Sequence, residues 1–215
     1  MMSGHLADIA LLAGDVARRI ALVPSLGALL LALPIGYLLE WAFGSHGRRA
    51  DRLNWLFAPF YLFGQVLSAL ALFQTLGALR DSLGFGHLFD VQVGGEGIPG
   101  TAAALFVFTL VLDASLFVSH RLQHAVAFLW QGHRLHHSDP LVDVSTTLRL
   151  HPTDLISGNI IVTAVFVFVL PLPHFADPAI LMVPFSWLYY IHLDIDIRHG
   201  CLWWLITSPY YHRVH

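Results

Sequence analysis

The sequence predicts an all-α, integral membrane bundle of about four to five hydrophobic helices, with a histidine-rich metal site at one membrane face. Three observations predict it. Hydrophobic residues make up 56% of the 215 residues and charged ones only 12%, about half the charge that a water-soluble domain carries. The apolar residues are gathered into long runs separated by short polar connections. And the 14 histidines are unevenly placed, three in the first 119 residues and eleven in the last 96.

The same composition excludes other classes. The net charge of −3 leaves no basic excess for a nucleic-acid partner, and the single cysteine, Cys201, rules out a disulfide scaffold. All 11 basic residues are Arg, which with the Ala and Leu richness fits a GC-rich bacterial genome and an inner-membrane location.

In chain order, Met1 to Asp15 has no basic n-region and no cleavage site after a short apolar stretch, so it does not read as a cleavable signal. Leu6, Ile9, Ala13, Val16 and Ile20 recur at spacings of three and four, which predicts a short amphipathic helix on the membrane surface, ending near Arg18 and Arg19. A spanning helix needs about 20 mostly apolar residues. Leu22–Phe43 supplies one, with a kink expected at Pro34 and Glu40 near one end. Asn54–Leu79 supplies a second without a charge, and Thr101–Ser119 a third whose only charge is Asp113. Leu155–Leu170 and Pro178–Ile191 flank three prolines and read as a spanning or re-entrant hairpin.

Loop arginines set the orientation. Arg48, Arg49 and Arg52 mark the first connection as cytoplasmic, whereas Arg80–Gly100 sets one Arg against Asp81, Asp90 and Glu96. The third span then delivers His120 and everything after it to the cytoplasmic face, where Arg121, Arg134 and Arg149 agree. Arg18 and Arg19 dissent.

Three histidine clusters meet on that face. His120 and His124 are four apart, on one side of a helix and about 5–6 Å from each other at Cβ. Asp113, seven residues earlier, shares the stripe, either as a carboxylate orienting a ligand imidazole or as a buried polar residue bonded to a neighbouring helix. His133, His136 and His137 follow; on a helix the last two project about 100° apart, so one turn can feed two metals. His212 and His215 form the third cluster. His5, His46, His87 and His174 stand alone and read as structural.

The ordered run His120-Arg-Leu-Gln-His124, Phe128-Leu-Trp130 and His133-Arg-Leu-His136-His137-Ser138 resembles the fatty acid hydroxylase / sterol desaturase superfamily of integral membrane di-iron oxygenases. Thr147-Leu-Arg149-Leu-His151-Pro152 and Ser208-Pro-Tyr-Tyr-His212-Arg-Val-His215 resemble stretches that follow in those proteins. The resemblance implies that His120, His124, His133, His136, His137, His192, His212 and His215 hold two Fe ions, for which Zn could substitute. His199 and Asp196 are lesser candidates in the region of His192. His151 is open between a ligand, a residue behind the ligands and a helix-start residue, with the second favoured. The chain is thereby expected to divide into residues 1–100, the amphipathic helix and first two transmembrane helices, and residues 101–215, the catalytic region, within which the resemblance runs from about Asp113 to the end. Because the last box normally continues with another histidine, the chain is expected to be a piece of a longer protein. Ala125 stands where relatives often carry Glu.

The reaction so implied is O₂-dependent hydroxylation or desaturation of a fatty acyl, sterol or related lipid. Electrons would come from a separate ferredoxin, cytochrome or reductase, since the sequence has no Gly-rich dinucleotide fingerprint. Lipid would enter from the bilayer past Trp130, Trp187, Tyr189, Tyr190, Trp203 and Trp204, unless these serve as interfacial anchors. Three rivals stay open: a membrane-embedded zinc hydrolase, which needs only three protein ligands and a water; a haem carrier or metal transporter, which needs polar groups within the spans; and an inactive homologue that binds metal or lipid.

Overall fold

The computed structural model describes residues 26–44, 53–91, 93–94, 97–172, 181–202 and 207–215. Every regular element among them is helical. Helix α1 (Ala28–Phe43) opens with a π-helical turn, Ala28–Ala32, immediately before Pro34. A proline donates no backbone hydrogen bond, so the ladder changes pitch at this point rather than running through it. Helix α2 (Asn54–Ser82) starts with a 3₁₀ turn, Asn54–Phe57, ahead of Pro59. Helix α3 (Gly97–Ala125) continues past the apolar stretch that defines the span and carries His120 and His124 on its last turns. Extended backbone at Val126 then breaks the helix, and α4 (Ala127–His133) sets off in a new direction.

Short 3₁₀ turns, His136–Ser138 and Val144–Leu148, lead to α5 (Pro152–Val169), whose last turn is π-helical. Helix α6 (Met182–Tyr190) and the short α7 (Pro209–Arg213) complete the described chain. Helices α2, α3 and α5 are each long and apolar enough to cross a membrane. The amphipathic segment up to Ile20, the Arg48–Arg52 connection, Trp203 and Trp204 lie outside the described residues.

Helix α5 is the axis of the bundle, packed against both α2 and α3, while α6 packs on the first turn of α1. Phe108 of α3 stacks on Phe166 of α5 with ring centroids 5.2 Å apart, and Leu33, Tyr61, Leu112, Leu155, Phe185 and Tyr189 fill the space around them. Outward faces are apolar too: Leu30, Leu38, Phe60, Phe63, Phe106 and Phe117 are all exposed. Such a surface is costly in water and favourable in lipid, where helices associate by packing and polar contacts instead. Asn159 of α5 provides such contacts, bonding to Gln65 at 3.2 Å and to Ser68 at 2.6 Å on α2.

At one end of the bundle a polar lattice ties the first two helices to the histidine-bearing loops. Asn54, fully buried at the start of α2, donates to Asp139 at 2.8 Å and Ser145 at 3.0 Å, and accepts from Arg149 at 3.2 Å. Arg149 reaches on to the Leu135 carbonyl and the Ser138 hydroxyl. Glu40, near the end of α1, accepts from the Val144 amide at 2.8 Å and the Asp194 amide at 2.9 Å through the same oxygen. Gly36 lets α1 press against Val144, where a β-carbon would collide.

Candidate metal centre

The histidines come from four pieces of backbone. Helix α3 places His120 and His124 one turn apart, rings edge to face at 4.7 Å. Helix α4 ends at His133, so the second cluster does not ride on one continuous α-helix as its spacing suggested; His136 and His137 lie in the 3₁₀ turn that follows. The correction leaves their divergence intact, since the His137 nitrogen gathers with those of His120, His124 and His133 and the His136 nitrogen with those of His192 and His212. His192 follows the last turn of α6, and Ser208, accepting from the Tyr211 amide, starts the helix that carries His212.

Two groups result. One ring nitrogen from each of His120, His124, His133 and His137 lies within 4.8 Å of the others, and His136, His192 and His212 form a second such set. The groups adjoin: the His133 and His136 rings are 5.5 Å apart, and those of His120 and His212 are 6.0 Å apart. His215 stands between them, its Nε2 2.9 Å from His120 Nε2 and its ring 4.6 Å from that of His212.

Hydrogen bonding fixes which nitrogens face inward as acceptors. His192 Nδ1 meets the Leu188 carbonyl at 2.6 Å, and His215 Nδ1 meets the His212 carbonyl. A carbonyl only accepts, so both Nδ1 atoms carry the proton and both Nε2 atoms present lone pairs. Those lone pairs point at further imidazole nitrogens: His192 Nε2 lies 3.1 Å from His136 Nε2 and 2.9 Å from His212 Nε2. Converging acceptors repel one another unless a proton or a cation lies among them. Protons are disfavoured. Burial, reinforced by neighbouring imidazoles, holds His136 and His212 well below the usual imidazole pKa and lowers His137 to about 4. Neutral imidazoles in this arrangement fit a metal ion.

Trp130 lies beside the first group, its ring 5.3 Å from His124 and 5.8 Å from His137, while His124 itself is exposed. Below His120 on α3, the stripe Leu116, Leu112 and Phe108 lines an apolar cavity completed by Phe166, Phe185 and Leu188, with Gln65 and Asn159 as polar lining. The cavity thus begins one helical turn from the imidazoles.

Other candidates lie elsewhere. Asp113 is half-buried on α3 and has no hydrogen-bond or ion-pair partner among the described residues; seven residues at 1.5 Å each set it about 10 Å along the helix from His120. The carboxylate that approaches an imidazole is Asp154, with Oδ1 3.5 Å from His133 Nδ1. His151 occupies the helix-start role, its Nδ1 bonded to the Thr153 amide and hydroxyl at the head of α5. His199 bonds to the Tyr190 hydroxyl and Asp196 pairs with Arg198, and neither joins either group. His87 lies beside Arg80; His5, His46 and His174 are outside the described residues. The sequence reading missed Asp154, although its place three residues after His151 is that of a capping-box acid.

The profile of the fatty acid hydroxylase family matches residues 105–215, just over half of the chain. The chain belongs to the fatty acid hydroxylase family. Both histidine groups fall inside the matched region. Among curated proteins the chain is similar to alkylglycerol monooxygenase from Danio rerio, 32% identical over 110 residues, and to those from Homo sapiens at 31% and Xenopus tropicalis at 30%. Each match covers 49% of this chain and 23% of the relative. The chain therefore spans about a quarter of the length of the curated relatives it matches. No solved structure matches it.

Proposed function

We propose that this chain forms the catalytic region of an O₂-dependent di-iron lipid oxygenase. The observation that carries the proposal is the pair of adjoining imidazole groups, all neutral nitrogen donors, at the head of an apolar cavity inside a membrane-capable bundle. His120, His124, His133 and His137 would hold one iron, and His136, His192 and His212 the other, with His215 between them. Iron bound there supplies O₂ activation, chemistry beyond the reach of amino-acid side chains.

The chain supplies the rest. His192 and His215 keep their Nε2 lone pairs turned inward through hydrogen bonds to backbone carbonyls. Trp130 flanks the first group, and the small apolar cavity along Leu116, Leu112 and Phe108 would widen to take the end of an alkyl chain and set one C–H bond toward the imidazoles. Hydroxylation puts one oxygen atom into that bond and reduces the other to water, consuming two electrons from a separate ferredoxin, cytochrome or reductase and two protons from solvent. The names of the relatives favour an alkylglycerol-like lipid as the first substrate to assay, and monooxygenation over desaturation.

Residues 101–215 would be the catalytic region and residues 1–100 its membrane support, with Glu40 and Asn54 as the ties between them. The arginine distribution favours a bacterial inner membrane with the centre facing the cytoplasm.

The deciding experiment is metal content per chain, measured on protein purified without chelator or nickel resin. About two irons are expected, lost together when His133 or His137 becomes Ala and accompanied by O₂-dependent turnover of an alkylglycerol. A single zinc that survives substitution of His120 and His124 would overturn the proposal and favour the zinc hydrolase; absence of any stoichiometric metal would favour an inactive homologue.

A further inference from the structure

We infer that Asp154 is a positioning residue for the metal centre, holding the His133 imidazole in the tautomer that turns Nε2 into the first histidine group. This inference rests on the metal-binding reading above and goes beyond it by assigning a role to a residue that is not itself a ligand.

His133 occupies the middle of its group, with ring centroids 4.7 Å from His120, 4.9 Å from His124 and 4.7 Å from His137. Its Nε2 faces inward, 3.1 Å from His137 Nε2. Its Nδ1 faces the other way and meets Asp154 Oδ1 at 3.5 Å. Both side chains are only 3% exposed, and neither atom has a hydrogen-bond partner among the described residues.

A buried ring nitrogen and a buried carboxylate oxygen, each otherwise unsatisfied and each facing the other, have one mutually favourable arrangement: Nδ1 carries the proton and donates toward Oδ1. The separation exceeds hydrogen-bond length by only about 0.3–0.8 Å, and leaving both groups unpaired would cost each its desolvation penalty. With the proton on Nδ1, the inward Nε2 has a lone pair. The carboxylate also makes the imidazole a stronger donor to a cation.

The rest of Asp154 is held firmly enough to perform this role. Its Oδ2 accepts from the His151 amide at 3.2 Å, closing the capping box of α5, and its backbone carbonyl accepts from Gln123 of α3 at 3.2 Å and from Ser157 at 3.2 Å. Gly132, the residue before His133, lies where a β-carbon would strike Thr153 and come within 3.1 Å of His151 Nδ1. The close approach of α4 to the head of α5 is what brings the two groups face to face.

The test is Co(II) binding to the detergent-solubilised chain and its Asp154→Asn and Asp154→Glu variants. Readouts are the dissociation constant from chelator competition, the visible Co(II) absorption band, and the unfolding midpoint of the metal-free protein. Asparagine retains an acceptor for the His151 amide but removes the charge facing Nδ1. The expected result is Co(II) affinity weaker by roughly 10- to 100-fold, an altered band and an unchanged metal-free midpoint, with recovery in Asp154→Glu. Affinity within about threefold of wild type in Asp154→Asn, or a loss matched by a lowered metal-free midpoint, would overturn the assignment in favour of a capping role alone.

Nitrogen-15 NMR of the native metal-free chain gives a second reading that no folding defect can confuse. A His133 resonance protonated at Nδ1 is expected, and one protonated at Nε2 would overturn the assignment. Wild-type protein that takes up no metal would overturn the functional reading and this one together; wild-type uptake with an indifferent Asp154→Asn would overturn this one alone.

Discussion

Replacing Glu40 by Ala should loosen two histidine-bearing segments at once. The same carboxylate oxygen accepts from the amides of Val144 and Asp194 at 2.8 and 2.9 Å, one amide seven residues after His137 and the other two after His192. A hydrogen bond contributes about 0.5–1.5 kcal/mol, and about 1.5–3 kcal/mol when one partner carries a charge. Glu40 is half-buried, so the boundary value applies, and each amide loses about 1.5 kcal/mol. At about 1.4 kcal/mol per tenfold, that predicts amide hydrogen exchange at Val144 and at Asp194 roughly tenfold faster than in the native chain. Glu40→Gln keeps an oxygen at the same distance along the side chain, so its exchange should stay within about threefold of native. The assay is exchange mass spectrometry on the detergent-solubilised protein, read on peptides containing each amide. Unchanged protection at both amides in Glu40→Ala would refute the reasoning. Exchange in Glu40→Gln as fast as in Glu40→Ala would show that charge, not oxygen placement, holds the joint.

Three further outcomes follow from the same geometry. Asn54→Ala removes a fully buried side chain bonded to Asp139, Ser145 and Arg149, and should lower stability by about 3–5 kcal/mol, read as a fall in the thermal midpoint. Gly132→Ala places a methyl group against Thr153 and should cost about 1–3 kcal/mol while weakening metal uptake, because α4 must back away from α5. Acid should destabilise the metal-free protein. Burial depresses His137 to about 4 and holds His136 and His212 well below the usual 6.5, so the unfolded chain binds protons that the folded chain refuses. The stability these neutral imidazoles represent is complete above about pH 6.5 and is lost as pH falls toward 4; a thermal midpoint that stays flat over that interval would contradict it.

The spans were legible because bilayer burial leaves a one-dimensional record. Asn54–Leu79 and Thr101–Ser119 anticipate α2 and α3, and the helices overrun those limits because backbone hydrogen bonding continues after hydrophobicity stops. That overrun carries His120 and His124 on a helix. The histidine spacing was legible for a similar reason, since ligands close in sequence share a turn. Residues that act across long separations leave no such record. Asn54 is separated from Asp139 by 85 positions, and Glu40 from Asp194 by 154; each read simply as a polar residue near the end of an apolar run. Asp113 attracted attention as the only charge in its span, whereas Asp154 was hidden in an ordinary helix-start pattern. The α-helical reading of His133–His137 failed because periodicity does not reveal where a helix ends and a tighter turn takes over.

The two histidine groups differ in how far the chain must travel to assemble them. The first draws all four imidazoles from the single stretch between His120 and His137, including a pair only four positions apart. The second needs His192 to return across 56 positions to His136 and His212 to follow 20 positions later. As the chain emerges from the ribosome, the first group can form before α6 has been synthesised, and the second must await both α6 and α7. If the centre holds ions as proposed, chain order would set its maturation: an early half complete on the nascent chain, and a late half whose closure waits until the bundle has been built.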